Sequence, residues 1–257
     1  MSNEMAGLIT RYGGIPCVAP AVCEVRRNSQ REVAAFLEHL LAGSIHAVIF
    51  FTGVGASTLF QEAERLARLP ELLHALREVM IICRGPKPAA VLKRYEIPIA
   101  LNAREPYTTT ELLALLQPLD MRERGVAVIH YGERNAALIQ TLREKGAHVE
   151  ELCLYEWLLP EDIGPLQTLV HEIIARRIDA VVFTSQVQAR HLFQVAADLG
   201  LADALARALN TGTIVASVGP TCTGALQSYG VTPHVVPEHP KMGHLIKALF
   251  DYATAPR

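Results

Sequence analysis

Four short motifs recur in this chain, in the same order and at nearly one interval. Ile49-Phe50-Phe51-Thr52 matches Val181-Val182-Phe183-Thr184 132 positions later. Phe60 matches Phe193 at 133, and Gly85-Pro86 and Tyr95 match Gly219-Pro220 and Tyr229 at 134. An offset this steady across separate elements marks one structural unit used twice. The chain is therefore expected to form two similar lobes. Its 257 residues suffice for two modest domains, and with 50% hydrophobic side chains each can bury a core of its own.

Apolar runs at 47–51, 79–83, 126–130, 180–183 and 213–218 read as buried strands. Helical periodicity follows them at 56–69, 88–95, 135–145, 188–199 and 221–228. Further helices are expected at 4–12, 111–116 (capped by Thr109 or Thr110), 166–176 and 245–252, and outer strands at 97–100 and 235–236. The alternation predicts an α/β protein of two Rossmann- or flavodoxin-like parallel-sheet lobes. Segments 16–25 and 149–159 read as extended, each following a helix and a glycine. If they are counterparts, the chain crosses between lobes twice. Residues 1–21 and 160–257 then make one discontinuous lobe, 27–150 an inserted lobe, and 22–26 with 151–159 a two-stranded linker. The working site is expected in the cleft between the lobes. The repeat also calls for a strand before helix 4–12, and that strand falls ahead of Met1. The first strand of this lobe is thus expected to be missing, which would leave an apolar edge uncovered.

Charge narrows the function. The formal net charge is -2, from 24 basic and 26 acidic side chains, which argues against a general nucleic-acid or membrane-surface binder. No apolar run is long enough to span a membrane. The five cysteines, Cys17, Cys23, Cys83, Cys153 and Cys222, are widely spaced with no CxxC pair. They read as reduced thiols of a cytoplasmic protein, several facing a core. No signal-peptide layout opens the chain, which counts against an exported solute receptor.

Polar residues gather just after the strands, where open α/β sheets place their ligands. One lobe offers Thr52-Gly53-Val54-Gly55 and Arg84-Gly85-Pro86-Lys87; the other offers Thr184-Ser185-Gln186 and Gly219-Pro220-Thr221-Cys222-Thr223. Each precedes a helix, whose first N–H groups favour anions. Such corners suit a ligand with several carboxylates or phosphates. A plainer reading stands beside this one: Thr52, Ser185 and Thr221 cap helices, the glycines ease turns, and Arg84 and Lys87 are surface charges. Gly53-Val54-Gly55 lacks the third glycine of a dinucleotide fingerprint, and no phosphate-binding loop or nucleophile elbow is present. His234, His239 and His244 fall in one region without the ligand order of a metal site, and His130 ends a strand as a weak site candidate. Neither cofactor nor metal is expected. Tyr155, in the extended segment, either enters the cleft as a proton donor to a leaving hydroxyl or packs the linker.

These motifs together resemble the uroporphyrinogen-III synthase family. The similar segments are Phe183-Thr184-Ser185, Val218-Gly219-Pro220-Thr221 with the helix to Gly230, Val235-Val236-Pro237-Glu238, Gly243, Leu154-Tyr155-Glu156, and Gly13-Gly14-Ile15-Pro16 with Ala19-Pro20-Ala21. The resemblance runs over nearly the whole chain. It implies two α/β lobes on a two-stranded linker and a cofactor-independent lyase. The implied substrate is hydroxymethylbilane, a linear tetrapyrrole with eight carboxylates, cyclised with loss of water and inversion of ring D. The product feeds haem, sirohaem and cobalamin synthesis. Tyr155 matches the family's linker tyrosine. Thr52, Gly53, Thr184, Ser185, Gly219, Thr221 and Cys222 would hold carboxylates, with Arg84 and Lys87 added by position. A cytoplasmic monomer is expected. Thr52-Gly53 and Thr221-Cys222 stand where the family more often has Thr-Ser and Thr-Thr. The Cys222 departure and the absent strand motivate a second reading, a non-catalytic relative that binds or senses a tetrapyrrole or polyanion.

Overall fold

The computed structural model describes residues 2–27, 29–130 and 132–255. It divides into two compact units, Met1–Cys23 with Leu158–Arg257, and Glu24–Trp157. After α1 (Ser2–Arg11) and β1 (Cys23–Arg26), the second unit runs α2 (Gln30–Leu41), β2 (Ala47–Phe50), α3 (Gly53–Arg65), α4 (Leu69–Arg77), β3 (Met80–Cys83) and α5 (Pro86–Arg94). It continues through β4 (Leu101–Asn102), α6 (Thr109–Leu116), β5 (Gly125–Ile129), α7 (Ala136–Glu144) and β6 (His148–Leu152) to β7 (Tyr155–Leu158). The chain then completes the first unit with α8 (Gly164–Ile174), β8 (Ala180–Phe183), α9 (Gln186–Asp198), α10 (Ala202–Thr211), β9 (Ile214–Ser217), α11 (Pro220–Ser228) and α12 (Met242–Thr254).

In the inserted unit the sheet order is β4-β3-β2-β5-β6, with every pairing parallel. Counted within the lobe this is 3-2-1-4-5, the Rossmann ordering, with its switch point between β2 and β5. Helices cover both faces, so β2 and β5 are apolar throughout. Val48 and Phe50 pack with α2, α3 and α5 on one face, while Ala47, Ile49 and Phe51 pack with α6 and α7 on the other. In the discontinuous unit β8 and β9 pair in parallel, and a single bridge from Ala216 to Val235 extends them. Among the described residues β8 has a strand partner on one side. The expected strand ahead of Met1 lies outside the sequence.

The repeat has a physical basis. Phe60 meets Tyr95 edge-on at 4.6 Å, and Phe193 stacks on Tyr229 at 4.4 Å. In each lobe the aromatic pair clamps the first helix after the leading strand to the end of the helix that follows the second strand, α3 to α5 and α9 to α11, a contact worth about 0.5–1.5 kcal/mol beyond burial. The register needs one correction. β2 and β8, and α3 and α9, superpose at 133, so Ala47-Val48-Ile49-Phe50 answers Ala180-Val181-Val182-Phe183. A 132 offset would turn each strand side chain to the opposite face. The counterpart of Thr52 is therefore Ser185.

Other expectations shift for local reasons. The helix expected over 56–69 stops at Arg65, because Ala67 takes a positive φ of 57° and α4 begins afresh. The outer strand expected at 97–100 forms at Leu101–Asn102, since Pro98 has no N–H for a ladder. Thr108, in place of Thr109 or Thr110, caps α6 through a capping box with Glu111. The single strand expected over 149–159 breaks at Cys153–Leu154. Its first part pairs with β5 and its second with β1. Helices α2, α4 and α10 go beyond the elements expected.

Candidate functional site

At the switch point of the inserted lobe, Thr52 follows β2 and caps α3, its Oγ1 accepting the Gly55 N–H at 3.0 Å. The same Oγ1 lies 2.9 Å from the Tyr155 hydroxyl. Tyr155 is 0% exposed, and its ring stands edge-on to Trp157 at 5.8 Å. Gly132, at φ 82°, lies against both rings: a Cβ there would sit 3.1 Å from each. Only glycine combines that backbone with that closeness. Tyr155 thus occupies the crevice where Rossmann sheets seat ligands. Its hydroxyl is turned inward to Thr52.

Beside it, His130 follows the last residue of β5 with 0% exposure. Its Nδ1 accepts the Asn135 N–H at 3.4 Å, so Nε2 carries the proton and donates to Glu151 at 3.1 Å. Burial pushes the imidazole below its ordinary pKa of 6.5, against the pull of Glu151, and keeps it neutral at pH 7. Glu151 also takes two bonds from Arg134 and one from Arg143. Burial opposes its charge, yet the hydrogen bonds from Arg134 and His130 hold its carboxyl below the usual value of 4.5. Asn135 caps α7 through Leu138 N–H and reaches Thr109 at 2.7 Å, tying α6 to the same edge.

The Arg84 corner lies after β3, the strand next to β2. Arg84 is half-buried, with its guanidinium 5.2 Å above the Phe51 ring. Lys87 is exposed in the first turn of α5. Pro86 and Pro88 remove two of that turn's N–H groups, so side-chain charge carries any anion affinity there. Gly53 is a packing position: a Cβ would come within 3.1 Å of the Lys87 carbonyl oxygen.

In the other lobe Ser185 caps α9, accepting Gln188 N–H at 3.4 Å. Gln188 Oε1 in turn accepts the N–H groups of Thr184 and Ser185, at 2.7 and 3.2 Å, and the Thr184 hydroxyl at 3.2 Å. This corner is satisfied by its own glutamine. The Gly219 corner is more open. Gly219 precedes α11 without a side-chain cap, and the first helical bond there is Thr223 N–H to Gly219. The Thr221 and Cys222 amides therefore have no intrahelical partner. Thr221 is exposed in that turn and does not cap the helix. The Cys222 thiol turns into the core toward the Phe183 carbonyl, and burial raises its pKa. That leaves its backbone amide as the polar group Cys222 offers at this corner. Cys83 is likewise a core thiol, pushed up to about 12 by burial.

Sequence reasoning brought Thr52 and Tyr155 forward separately and left out Glu151, Arg134, Gly132 and Gln188. The last was readable, since Ser185-x-x-Gln188 is a capping-box spacing. His239 and His244 have rings 5.4 Å apart, but no group of three potential metal ligands gathers among the described residues.

Two parallel α/β lobes, one inserted in the other through paired crossings and each carrying hydroxyl or glycine corners at its strand ends, define a two-lobed Rossmann-like class. Within it the chain belongs to the uroporphyrinogen-III synthase HemD family, whose model matches residues 3–247. It is 33% identical over 252 residues to the uncharacterized protein YjjA of Bacillus subtilis, covering 98% of this chain and 92% of that one. It is 29% identical to a putative uroporphyrinogen-III synthase of Methanothermobacter thermautotrophicus, covering 96% and 93%. Among solved structures, a mutant uroporphyrinogen III synthase of Thermus thermophilus matches with a TM-score of 0.77 at 26% identity, covering 96% and 93%. The wild-type Thermus enzyme matches with a TM-score of 0.60 at 26% identity, covering 98% and 94%.

Proposed function

We propose that this chain is a uroporphyrinogen-III synthase that cyclises hydroxymethylbilane with loss of water and inversion of ring D. The observation that carries the reading is the 2.9 Å contact between the Tyr155 hydroxyl and Thr52 Oγ1 at the Rossmann switch point. Thr52 accepts Gly55 N–H and is thereby oriented. A phenol resting on that oxygen can exchange it for the substrate's terminal hydroxyl. A phenol is a weak acid, and a donated hydrogen bond suffices to help the hydroxyl leave. Most of the catalytic task is holding a flexible chain curled for ring closure. Arg84, Lys87 and the amides of Thr221 and Cys222 would hold carboxylates. Thr184 and Ser185 would join them when Gln188 releases their donors. Gly53 and Gly219 serve by allowing close packing and an uncapped helix start. The same reading makes the protein a cytoplasmic monomer supplying haem, sirohaem and cobalamin synthesis.

The self-satisfied Thr184-Ser185 corner and the inward Cys222 thiol favour a second reading, a relative that binds a tetrapyrrole without turning it over. Incubation with freshly generated hydroxymethylbilane separates the two. Formation of the type III macrocycle faster than spontaneous type I closure supports the synthase. Only type I product at the uncatalysed rate, from folded protein, refutes it.

A further inference from the structure

A buried histidine on an ordered hydrogen-bond chain flanks the turn that packs on the candidate phenol, and the reaction scheme leaves it unused. His130 and Asn135 bracket the turn that carries Gly132. The imidazole Nδ1 accepts Asn135 N–H at one end, and its Nε2–H is held by Glu151. On the other side, Gly55 packs against the His130 carbonyl oxygen, with a Cβ position 3.2 Å away. The turn's own Gly132 rests on the rings of Tyr155 and Trp157. The charged groups facing His130 are Glu151 from β6 and Arg134 from the turn, and Phe51, at the end of β2, presents a ring 6.1 Å away.

We propose that His130 is a positioning residue for Tyr155: as the neutral Nε2–H tautomer it fixes the Asn135 end of the turn and so seats Gly132 against the phenol ring. This rests on the reading of Tyr155 given above. Taking up a proton at Nδ1 turns the acceptor into a donor facing Asn135 N–H. Two donors then oppose each other in a dry site, and the tie is lost. Arg134 disfavours the added charge and Glu151 favours it. The turn therefore loosens as pH falls below the ordinary histidine range, and Gly132 leaves the rings.

The chain carries its own reporter, because Trp157 is its only tryptophan and it touches Gly132 and Tyr155. Trp157 emission in the full-length protein is expected to follow a one-proton transition with its midpoint below the ordinary histidine value of 6.5. His130→Asn keeps an acceptor for Asn135 N–H and cannot titrate, so its emission is expected to stay flat. Glu151→Gln removes the partner that favours the charged ring, and the midpoint is expected to fall by about one pH unit. Persistence of the wild-type transition in His130→Asn, or an unmoved midpoint in Glu151→Gln, overturns the proposal. Should His130→Asn fail to fold, His130→Gln and then the Glu151→Gln midpoint decide the matter. No substrate enters this measurement, so it stands or falls apart from the synthase reading. With hydroxymethylbilane turned over, kcat is expected to follow the same proton while KM does not.

Discussion

Replacing Thr52 by Val keeps the shape of the side chain and removes its oxygen. Two bonds go with it: the cap on Gly55 N–H at 3.0 Å and the contact with Tyr155 at 2.9 Å. Loss of an N-cap oxygen costs about 1 kcal/mol. A buried hydroxyl stripped of a partner costs about 1–3 kcal/mol. Because valine leaves no cavity, the expected sum is about 2–4 kcal/mol, a large part of the ~5–15 kcal/mol that holds a typical domain together. Urea unfolding followed by Trp157 emission reads this loss within the inserted unit, which contains both residues and the reporter. Thr52→Ser restores the oxygen and is expected to recover most of the loss. Combined with Tyr155→Phe, Thr52→Val should show a coupling of about 0.5–3 kcal/mol. Strict additivity of the two substitutions, or a loss for Thr52→Val below about 0.5 kcal/mol, would refute the reasoning.

Tyr155→Phe is expected to lower turnover of hydroxymethylbilane while far-ultraviolet circular dichroism stays native; unchanged steady-state turnover assigns the ring to packing. Thr221→Ala is expected to weaken substrate binding by about 1–3 kcal/mol if its hydroxyl holds a carboxylate, and equal affinities measured by fluorescence quenching remove it from the site. The melting temperature is expected to fall in two acid stages. His130 has a depressed pKa, so the unfolded chain takes up its proton first and stability drops as pH falls below 6.5. Glu151 is also depressed, so its contribution is present above 4.5 and is lost as pH falls through its lower folded value. Glu151→Gln should shrink the second stage by the share of Glu151, leaving that of the other depressed carboxylates such as Glu111 and Glu172, as calorimetry across pH can show.

Much of the fold was legible in the residues. Strands such as 180–183 are short apolar runs between glycine or polar breaks, and the repeated Phe and Tyr positions mark a contact made in both lobes. The one-residue error in register arose because a run buried on both faces shows no alternation, so identity alone cannot choose between offsets of 132 and 133. Site residues were less legible. Thr52 and Ser185 look alike in sequence and both cap helices, yet one meets a phenol and the other a glutamine. Cys222 sits among ligand candidates in sequence, but the helical turn sends its side chain to the core.

The sequence by itself determined the class of element, the duplication, and where the strands stop and polar corners begin. These follow from local periodicity and turn chemistry, which act over a few residues. Only the tertiary structure decided which corners meet. Thr52 and Tyr155 are 103 positions apart and His130 and Glu151 are 21 apart. The pairing of β5 with β6 brings the second pair together, and the first forms because β7, outside that sheet, starts against the turn that follows β2.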